Sequence, residues 1–499
     1  MAKIMTTETY RELEDRLPEI VIGIVSPVGT PLKSTLDALE KGFIEKKYNF
    51  HHIKITNSFH EIAQEIKYEK LDKSTRYTRI TSYIDFGNHL RNKLGSRFLS
   101  AFSISKIAET RSNYSDSCNV YVVDQLKTED EINLLKEIYG RSFFQISVYS
   151  ARHVRVDSLS RDMSHDNKKR DTNFYRDKAE ALVCRDEDEI NQPNGQQVGK
   201  IFQLADVVVN ADLIDKSDDV SVQVKRFIEL LFGYNGYSPN HLEYGMYLAH
   251  SAALRSLDLS RQVGAAIFRE TGEIAALGAN EVPKAGGGTY WADDSFDARE
   301  YRTSQDSNDI RKSEIFNEIL DIFNIDRDKI SKKQQDRVKE SQFMSALEYG
   351  RIIHAEMSAL SDASRLGISV QGATLYCTTF PCHMCSKHIV ASGISKVVFL
   401  EPYPKSLTAD LHSDSVHIEG MSRGSFEKFP SVNFVPFSGI TPRRYREFFA
   451  RTKRKSEGRY IDYRGGSAKP MFKNDISTYL NQENVAISAV KKALENSSE

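Results

Sequence analysis

Two short runs hold the residues best suited to chemistry, His354-Ala355-Glu356 and Pro381-Cys382-His383-Met384-Cys385. One imidazole and two thiolates can hold a zinc ion through three protein ligands and leave a fourth position for water, the pattern of a catalytic rather than a structural zinc. Zinc lowers the pKa of such a water to about 7. Glu356 stands too close to His354 along the chain to be a comfortable co-ligand. Its carboxylate can still reach the water, take a proton and pass it to a leaving amine. The bland alternatives are a four-ligand structural site, which His383 or Cys377 would complete, and a redox Cys-x-x-Cys pair. Cys377 reads better as a small buried strand residue.

These side chains need elements to position them. The pattern predicts a helix over Leu347–Leu366 carrying His354 and Glu356, then a strand over Gly372–Thr378. A helix over Cys382–Ser392 follows, entered at Pro381, and a strand over Lys396–Leu400. The positive end of the Cys382 helix favours both thiolates. Upstream, Leu242–Ser256 has helical spacing, and Gln262–Phe268 and Glu273–Gly278 read as strands paired about the turn at Thr271-Gly272. Glu281–Gly288 is loop. The polar, charged stretch of about Trp291–Gln342 reads as an insertion.

In a helix–strand–helix setting, His-x-Glu followed by Pro-Cys-x-x-Cys is the signature of zinc nucleobase deaminases. The stretch His241–Leu400 resembles the deoxycytidylate deaminase branch of the cytidine deaminase superfamily. Arg261-Gln262-Val263-Gly264-Ala265 is similar to that family's Arg-x-Val-Gly-Ala strand opening, and Gly278-Ala279-Asn280-Glu281-Val282-Pro283 to its Gly-Tyr-Asn-Gly-x-Pro loop. The resemblance implies a three-layer α/β/α domain with one zinc on His354, Cys382 and Cys385, and Glu356 as the catalytic proton carrier. It also implies Asn280 as a substrate ligand and Arg261 near the phosphates; a turn residue and a surface arginine are the plain alternatives. Glu281 stands where the family has glycine, and Lys284–Trp291 lacks the His-Cys often found there. A second zinc site and the number of phosphates read therefore stay open.

The first part of the chain has a different pattern. Glu19–Val25, Asn119–Asp124, Phe143–Val148 and Ala205–Asn210 read as apolar strands, with helical spacing over Thr128–Tyr139 and a charged stretch, Asp157–Asn194, of surface helices or a lid. Alternating strands and helices argue a parallel α/β sheet. Between the first strand and the helix opening at Lys33-Ser34-Thr35 lies Gly23-Ile24-Val25-Ser26-Pro27-Val28-Gly29-Thr30-Pro31-Leu32, which is similar to a degenerate P-loop. Leu32 precedes Lys33 where glycine belongs, and Pro27 stands at the first glycine position. Gly29, Lys33, Ser34 and Thr35 are the candidate nucleotide-binding residues, with Asp124 as a magnesium-site acid and Mg2+ accompanying a nucleotide. Arg185-Asp186 and Asp206 fit the same kinase-like layout. A scaffold that binds nothing is the competing reading.

A P-loop-like α/β domain ahead of a deoxycytidylate deaminase-like domain resembles the anti-phage dCTP deaminases. That resemblance implies conversion of dCTP and dCMP to uracil nucleotides, a homo-oligomer, and an inhibitory small RNA partner. The basic run Arg443–Arg446 to Arg451–Lys455, with Tyr445, Phe448 and Phe449 interleaved, is a candidate RNA or phosphate contact; a solvated helix face is the alternative. The domains expected are 1–237 (P-loop-like), 238–470 (deaminase-like) and 471–499 (a C-terminal helix or tail), with the boundary in the turn cluster Gly233–Pro239.

Composition sets the outer limits. The 499 residues are 40% hydrophobic and 27% charged, enough for two or more globular cores. With 68 basic and 69 acidic side chains, no global field draws the chain to nucleic acid or membrane. Five cysteines are too few for a disulfide framework. Met1–Leu17 has no apolar signal core, and no run is long and apolar enough to span a bilayer, so a cytoplasmic location is expected. A polynucleotide cytidine deaminase and a nucleotide-sensing scaffold with structural zinc remain as other classes.

Overall fold

A computed structural model describes residues 18–114, 118–166, 173–189, 192–212, 219–339, 341–401, 406–462, 469–472 and 476–498. Residues 1–17 and, in the charged stretch, 167–172 and 190–191 lie outside the described residues. The chain divides into two units, Met1–Glu243 with Ser438–Glu499, and Tyr244–Phe437.

In the first unit, strands β1 (Ile20–Val25), β2 (Asn49–Lys54), β3 (Asn119–Asp124), β4 (Phe143–Tyr149) and β5 (Val207–Asn210) form a parallel sheet in the order β2-β3-β1-β4-β5. All of β1 is buried. Ile20, Ile22 and Ile24 face Leu39 and Phe43 of helix α1 (Lys33–Glu45), whereas Val21 and Val25 join Phe98, Ile104 and Ile107 of helix α2 (Phe98–Asn113). Helices on both faces explain why the inner strands read as unbroken apolar runs. β2 lies at the edge and is only partly buried, so Asn49–Lys54 carries no such run and escapes detection. β1 lies between β3 and β4, and a crevice opens at the carboxyl ends where the winding reverses.

The expected domain 238–470 is corrected at its C-terminal side. Strand Gly439–Ile440 pairs antiparallel with β5, the Thr441 hydroxyl donates to the Ala205 carbonyl at 2.7 Å, and Arg444 pairs with Asp206 at 3.1 Å. Phe448 is buried beside Phe144 and Phe227. The open edge of β5 needs backbone partners, and this segment supplies them. The C-terminal helix Ile476–Ser498 also folds on the first unit, where its buried Glu483 accepts from Arg111 and from the Tyr139 hydroxyl.

In the second unit, strands β6 (Gly264–Phe268), β7 (Ile274–Ala279), β8 (Thr374–Thr379), β9 (Lys396–Glu401), β10 (Val416–Ile418) and β11 (Val432–Pro436) lie in the order β10-β11-β9-β8-β6-β7. β6 pairs antiparallel with β7 and β8, and the other pairs are parallel. Two glycines place helices on opposite faces. A Cβ on Gly264 would overlap the Ala249 carbonyl of helix α3 (His241–Ala253), and one on Gly278 would overlap the Ala355 carbonyl of helix α4 (Ala355–Arg365). Gly264 and Gly278 occupy adjacent register positions, so they face opposite ways. Helix α5 (His383–Ala391) shares the α4 face through Cys385 and Ile389.

The expected helix Leu347–Leu366 is shorter than its spacing suggests. α4 starts at Ala355, and His354 is its N-cap in extended backbone, φ −66° and ψ 154°. The preceding backbone is engaged elsewhere, because Ile353 and Glu281 exchange both of their hydrogen bonds.

Candidate active site

The amino ends of α4 and α5 bring the zinc-type residues together. His354 caps the first and Cys382 the second, where the Cys382 sulfur accepts from the Cys385 amide at 3.4 Å. The His354 Nδ1 lies 3.4 Å from the Cys382 sulfur and 3.3 Å from that of Cys385. Zinc bonds of about 2.3 Å to sulfur and about 2.0 Å to nitrogen at a tetrahedral angle would hold N and S about 3.5 Å apart. All three donor atoms lie within 4.8 Å of one another, so the set fits one zinc ion. Among the described residues neither His383 nor Cys377 belongs to this group. Cys377 is a fully buried residue of β8.

The electrostatics follow from this crowding. Hydrogen bonds from Cys385 and then His354 outweigh burial and hold Cys382 down at about 4, while its sulfur raises His354 to about 9. The α5 dipole works in the same direction on Cys382. Glu356, in the first turn of α4, is 3% exposed, and burial raises its carboxyl above the usual range. It lies against the Cys385 and Cys377 sulfurs.

A cavity of about 330 Å3 opens onto His354, Glu356 and Cys382. Asn280 and Arg261 line it, so the residues singled out in the sequence converge here. The Arg261 guanidinium pairs with Glu401 at 3.3 Å. Asn280 is 5% exposed, and its side-chain amide is engaged with Asp258 and with the backbone of Arg261 and Val263. Sequence reasoning missed Asp258, although it lies three residues before Arg261. It also missed Asn308 and Lys312, which line the cavity from helix Ser307–Ile322 of the insertion. Their helical spacing within a polar stretch says nothing about which wall they join.

The first unit's candidates divide. Gly29 (φ +86°) and Asp124 line a second cavity of about 350 Å3, together with Lys54, Arg76 and Arg79. Lys33 and Ser34 are exposed on the first turn of α1 and do not line it; Thr35 is fully buried. Asp124 is buried, with its carboxylate 3.6 Å from His52. The loop after β1 holds an anion of its own. The Asp186 carboxylate, 1% exposed, accepts from the Val28 amide at 2.7 Å and from Lys127 at 2.8 Å, while Lys127 also donates to the Ser26 carbonyl. In the basic run, Arg444 is tied to Asp206 and the Phe143 carbonyl, whereas Arg443, Arg446, Lys453 and Lys455 are exposed.

Residues 239–401 match the cytidine and deoxycytidylate deaminase zinc-binding region. This span contains every residue of the His354 site. Deoxycytidylate deaminase of Enterobacteria phage T2 is 50% identical over 54 residues, 11% of this chain and 29% of that protein. The Mus musculus deoxycytidylate deaminase is 27% identical over 158 residues, 32% of this chain and 63% of that protein. The chain thus spans less than two thirds of the length of either relative. A crystal structure of dCMP deaminase from cyanophage S-TIM5 aligns with a TM-score of 0.22 at 18% identity, over 40% of this chain and 99% of that chain. No helix among the described residues is long and apolar enough to cross a membrane.

Proposed function

We infer that the second unit hydrolytically deaminates free deoxycytidine nucleotides, dCMP and dCTP, to deoxyuridine nucleotides and ammonia. The observation that carries this reading is the convergence of His354, Cys382 and Cys385 at zinc-binding spacing with a buried Glu356 beside them. A zinc ion held by these three would supply a Lewis acid that makes water nucleophilic at neutral pH. The chain's own task is to move protons. Glu356 accepts a proton from the attacking water and returns it to the amine leaving C4. A C4–O bond forms, the C4–N4 bond breaks and ammonia departs, so the carboxyl ends in the state in which it began. Burial suits Glu356 to the task, because raising its carboxyl above the usual carboxylate range strengthens it as a base while it can still give the proton back. The phage T2 and mouse relatives are deoxycytidylate deaminases, which supports the substrate class.

The same reading extends to depletion of the dCTP pool as a defence against phage. It is supported by the pairing of two α/β units in one chain, as in the dCTP deaminases that the sequence resembles. The exposed basic run about Arg443–Lys455 is the surface on which an inhibitory RNA would sit. In the first unit, the cavity beside Gly29 and Asp124 is read as an effector site for a phosphate-bearing ligand, supported by Lys54, Arg76 and Arg79 in its lining.

The deciding experiment incubates zinc-loaded protein with dCMP, dCTP, CTP, cytidine and single-stranded DNA and follows uracil products. Conversion of the deoxycytidine nucleotides is expected. No conversion of either one, with zinc bound, overturns the reading; conversion of DNA alone transfers it to polynucleotide editing.

A further inference from the structure

The turn that carries Cys382 is held from outside by the segment after β9. Two hydroxyl residues with no solvent exposure meet there: Ser386 in α5 and Thr408, which opens the short helix Thr408–Leu411, lie 2.8 Å apart at their oxygens. Ser386 donates to the Cys382 carbonyl at 3.0 Å. On its other side the Thr408 hydroxyl lies 2.9 Å from that of Ser406. Ser406 and Thr408 both aim at the Pro381 carbonyl, at 3.1 Å and 3.3 Å. The His383 carbonyl lies 3.1 Å from Nε2 of His412, and a carbonyl only accepts, so that nitrogen carries the proton. Side chains thus engage three successive carbonyls, those of Pro381, Cys382 and His383. Each hydroxyl has one hydrogen to give. Whichever way the three hydrogens turn, Thr408 is the residue that links the Ser386 and Ser406 ends of the cluster.

We propose that Thr408 is a positioning residue for the zinc-type site, fixing the backbone at Cys382 so that its sulfur stands in place before a metal arrives. This rests on reading His354, Cys382 and Cys385 as zinc ligands. Cys382 caps α5 with its own sulfur, which accepts from the Cys385 amide, so the place of that sulfur follows the backbone at 382. That backbone is extended, φ −69° and ψ 165°, one residue before the helix begins. The Pro381 and Cys382 carbonyls belong to the two peptide planes that meet at the Cys382 Cα. Thr408 reaches both planes, the first directly and the second through Ser386. A methyl in place of the hydroxyl would fill the same space without setting the direction of either plane, because only the hydrogen bond is directional. A donor atom must sit within about 0.2 Å of its metal distance. Backbone left free at Cys382 would have to be ordered as the ion binds, and that ordering weakens binding.

The test compares the full-length wild type with Thr408→Val, which keeps the shape and removes the hydroxyl, and with Thr408→Ser, which keeps the hydroxyl. Zinc affinity is read by competition with a chromophoric chelator. Thr408→Val is expected to bind zinc about tenfold more weakly, the scale of losing a group that orients a metal ligand, and Thr408→Ser to stay within about threefold of the wild type. Hydrogen exchange of the metal-free proteins is the second readout. The Cys385 and Ser386 amides should exchange faster in Thr408→Val while the rest of the second unit keeps its protection. Unchanged zinc affinity in Thr408→Val overturns the proposal, and so does an equal weakening in Thr408→Val and Thr408→Ser, which would assign the effect to packing. Faster exchange throughout the second unit assigns Thr408 a purely structural role and overturns it too. Should Thr408→Val fail to fold, Ser386→Ala cuts the link from the other end; the same selective weakening is expected, and full affinity there overturns the proposal. If the wild type binds no zinc, the ligand assignment fails by itself. The exchange comparison on the metal-free chains then decides whether Thr408 fixes the turn, and equal exchange at Cys385 and Ser386 overturns it.

Discussion

Each unit of this protein gathers polar groups beside a loop, and they differ in what fills the focus. In the second unit, His354, Cys382 and Cys385 converge on one another, and their three donor atoms are spaced for an added ion. In the first, the Val28 amide and Lys127 also converge, but on Asp186, a carboxylate of the same chain. A strand–loop–helix arrangement that suits anion binding thus becomes an internal strut once the fold carries its own anion to the spot. Spacing in sequence distinguishes the two poorly; occupancy of the focus distinguishes them well.

The sharpest way to break the comparison is Glu356→Gln. It is expected to leave bound zinc unchanged and to slow deamination by about 10²- to 10⁴-fold, the contribution of a placed general acid–base. Zinc analysis beside a product assay measures both, and undiminished turnover would remove Glu356 from the chemistry. His354→Ala and Cys382→Ala should lower zinc content and activity together. A variant that still carries one full equivalent of metal contradicts the ligand assignment.

On the other side of the comparison, Asp186→Ala leaves Lys127 buried without its carboxylate. A loss of about 3–5 kcal/mol in chemical unfolding is expected, as for a broken buried ion pair. Inorganic phosphate should restore part of that stability in the variant and shift the wild type much less. If phosphate stabilises neither protein, the loop is no anion site once Asp186 is gone. Gly278→Ala tests the frame beneath the zinc-type site, because its new Cβ meets the α4 backbone at Ala355. A cost of about 1–3 kcal/mol by denaturant titration is expected for such overpacking. The smallest effect belongs to Lys33→Ala, exposed on α1 and outside the lining of the first unit's cavity. Its stability should stay within about 0.5 kcal/mol of wild type and its zinc content should be unchanged.

Much of the second unit is legible in the chain itself, because its chemistry depends on residue types at close spacing. Cys382 and Cys385 are three apart at a helix start, and His354 and Glu356 are two apart, so local geometry alone brings each pair near one ligand. The inner strands of both sheets are legible for a similar reason, since burial on both faces leaves continuous apolar runs such as Ile20–Val25. What the sequence could not determine are the encounters between distant segments. Gly439–Ile440 joins the β5 edge across more than two hundred residues, Asp186 reaches Val28 from another helix, and the insertion supplies Asn308 and Lys312 to the cavity wall. Asn280 shows the same division within one residue. Its identity and its place in a loop are local, but the partners that orient its amide, Asp258 and the backbone of Arg261 and Val263, lie 17 to 22 positions away. Periodicity and propensity act over a few residues, whereas hydrogen-bond capacity is satisfied by whatever the tertiary fold brings alongside. Only the folded chain therefore decides which polar groups are left to meet a ligand.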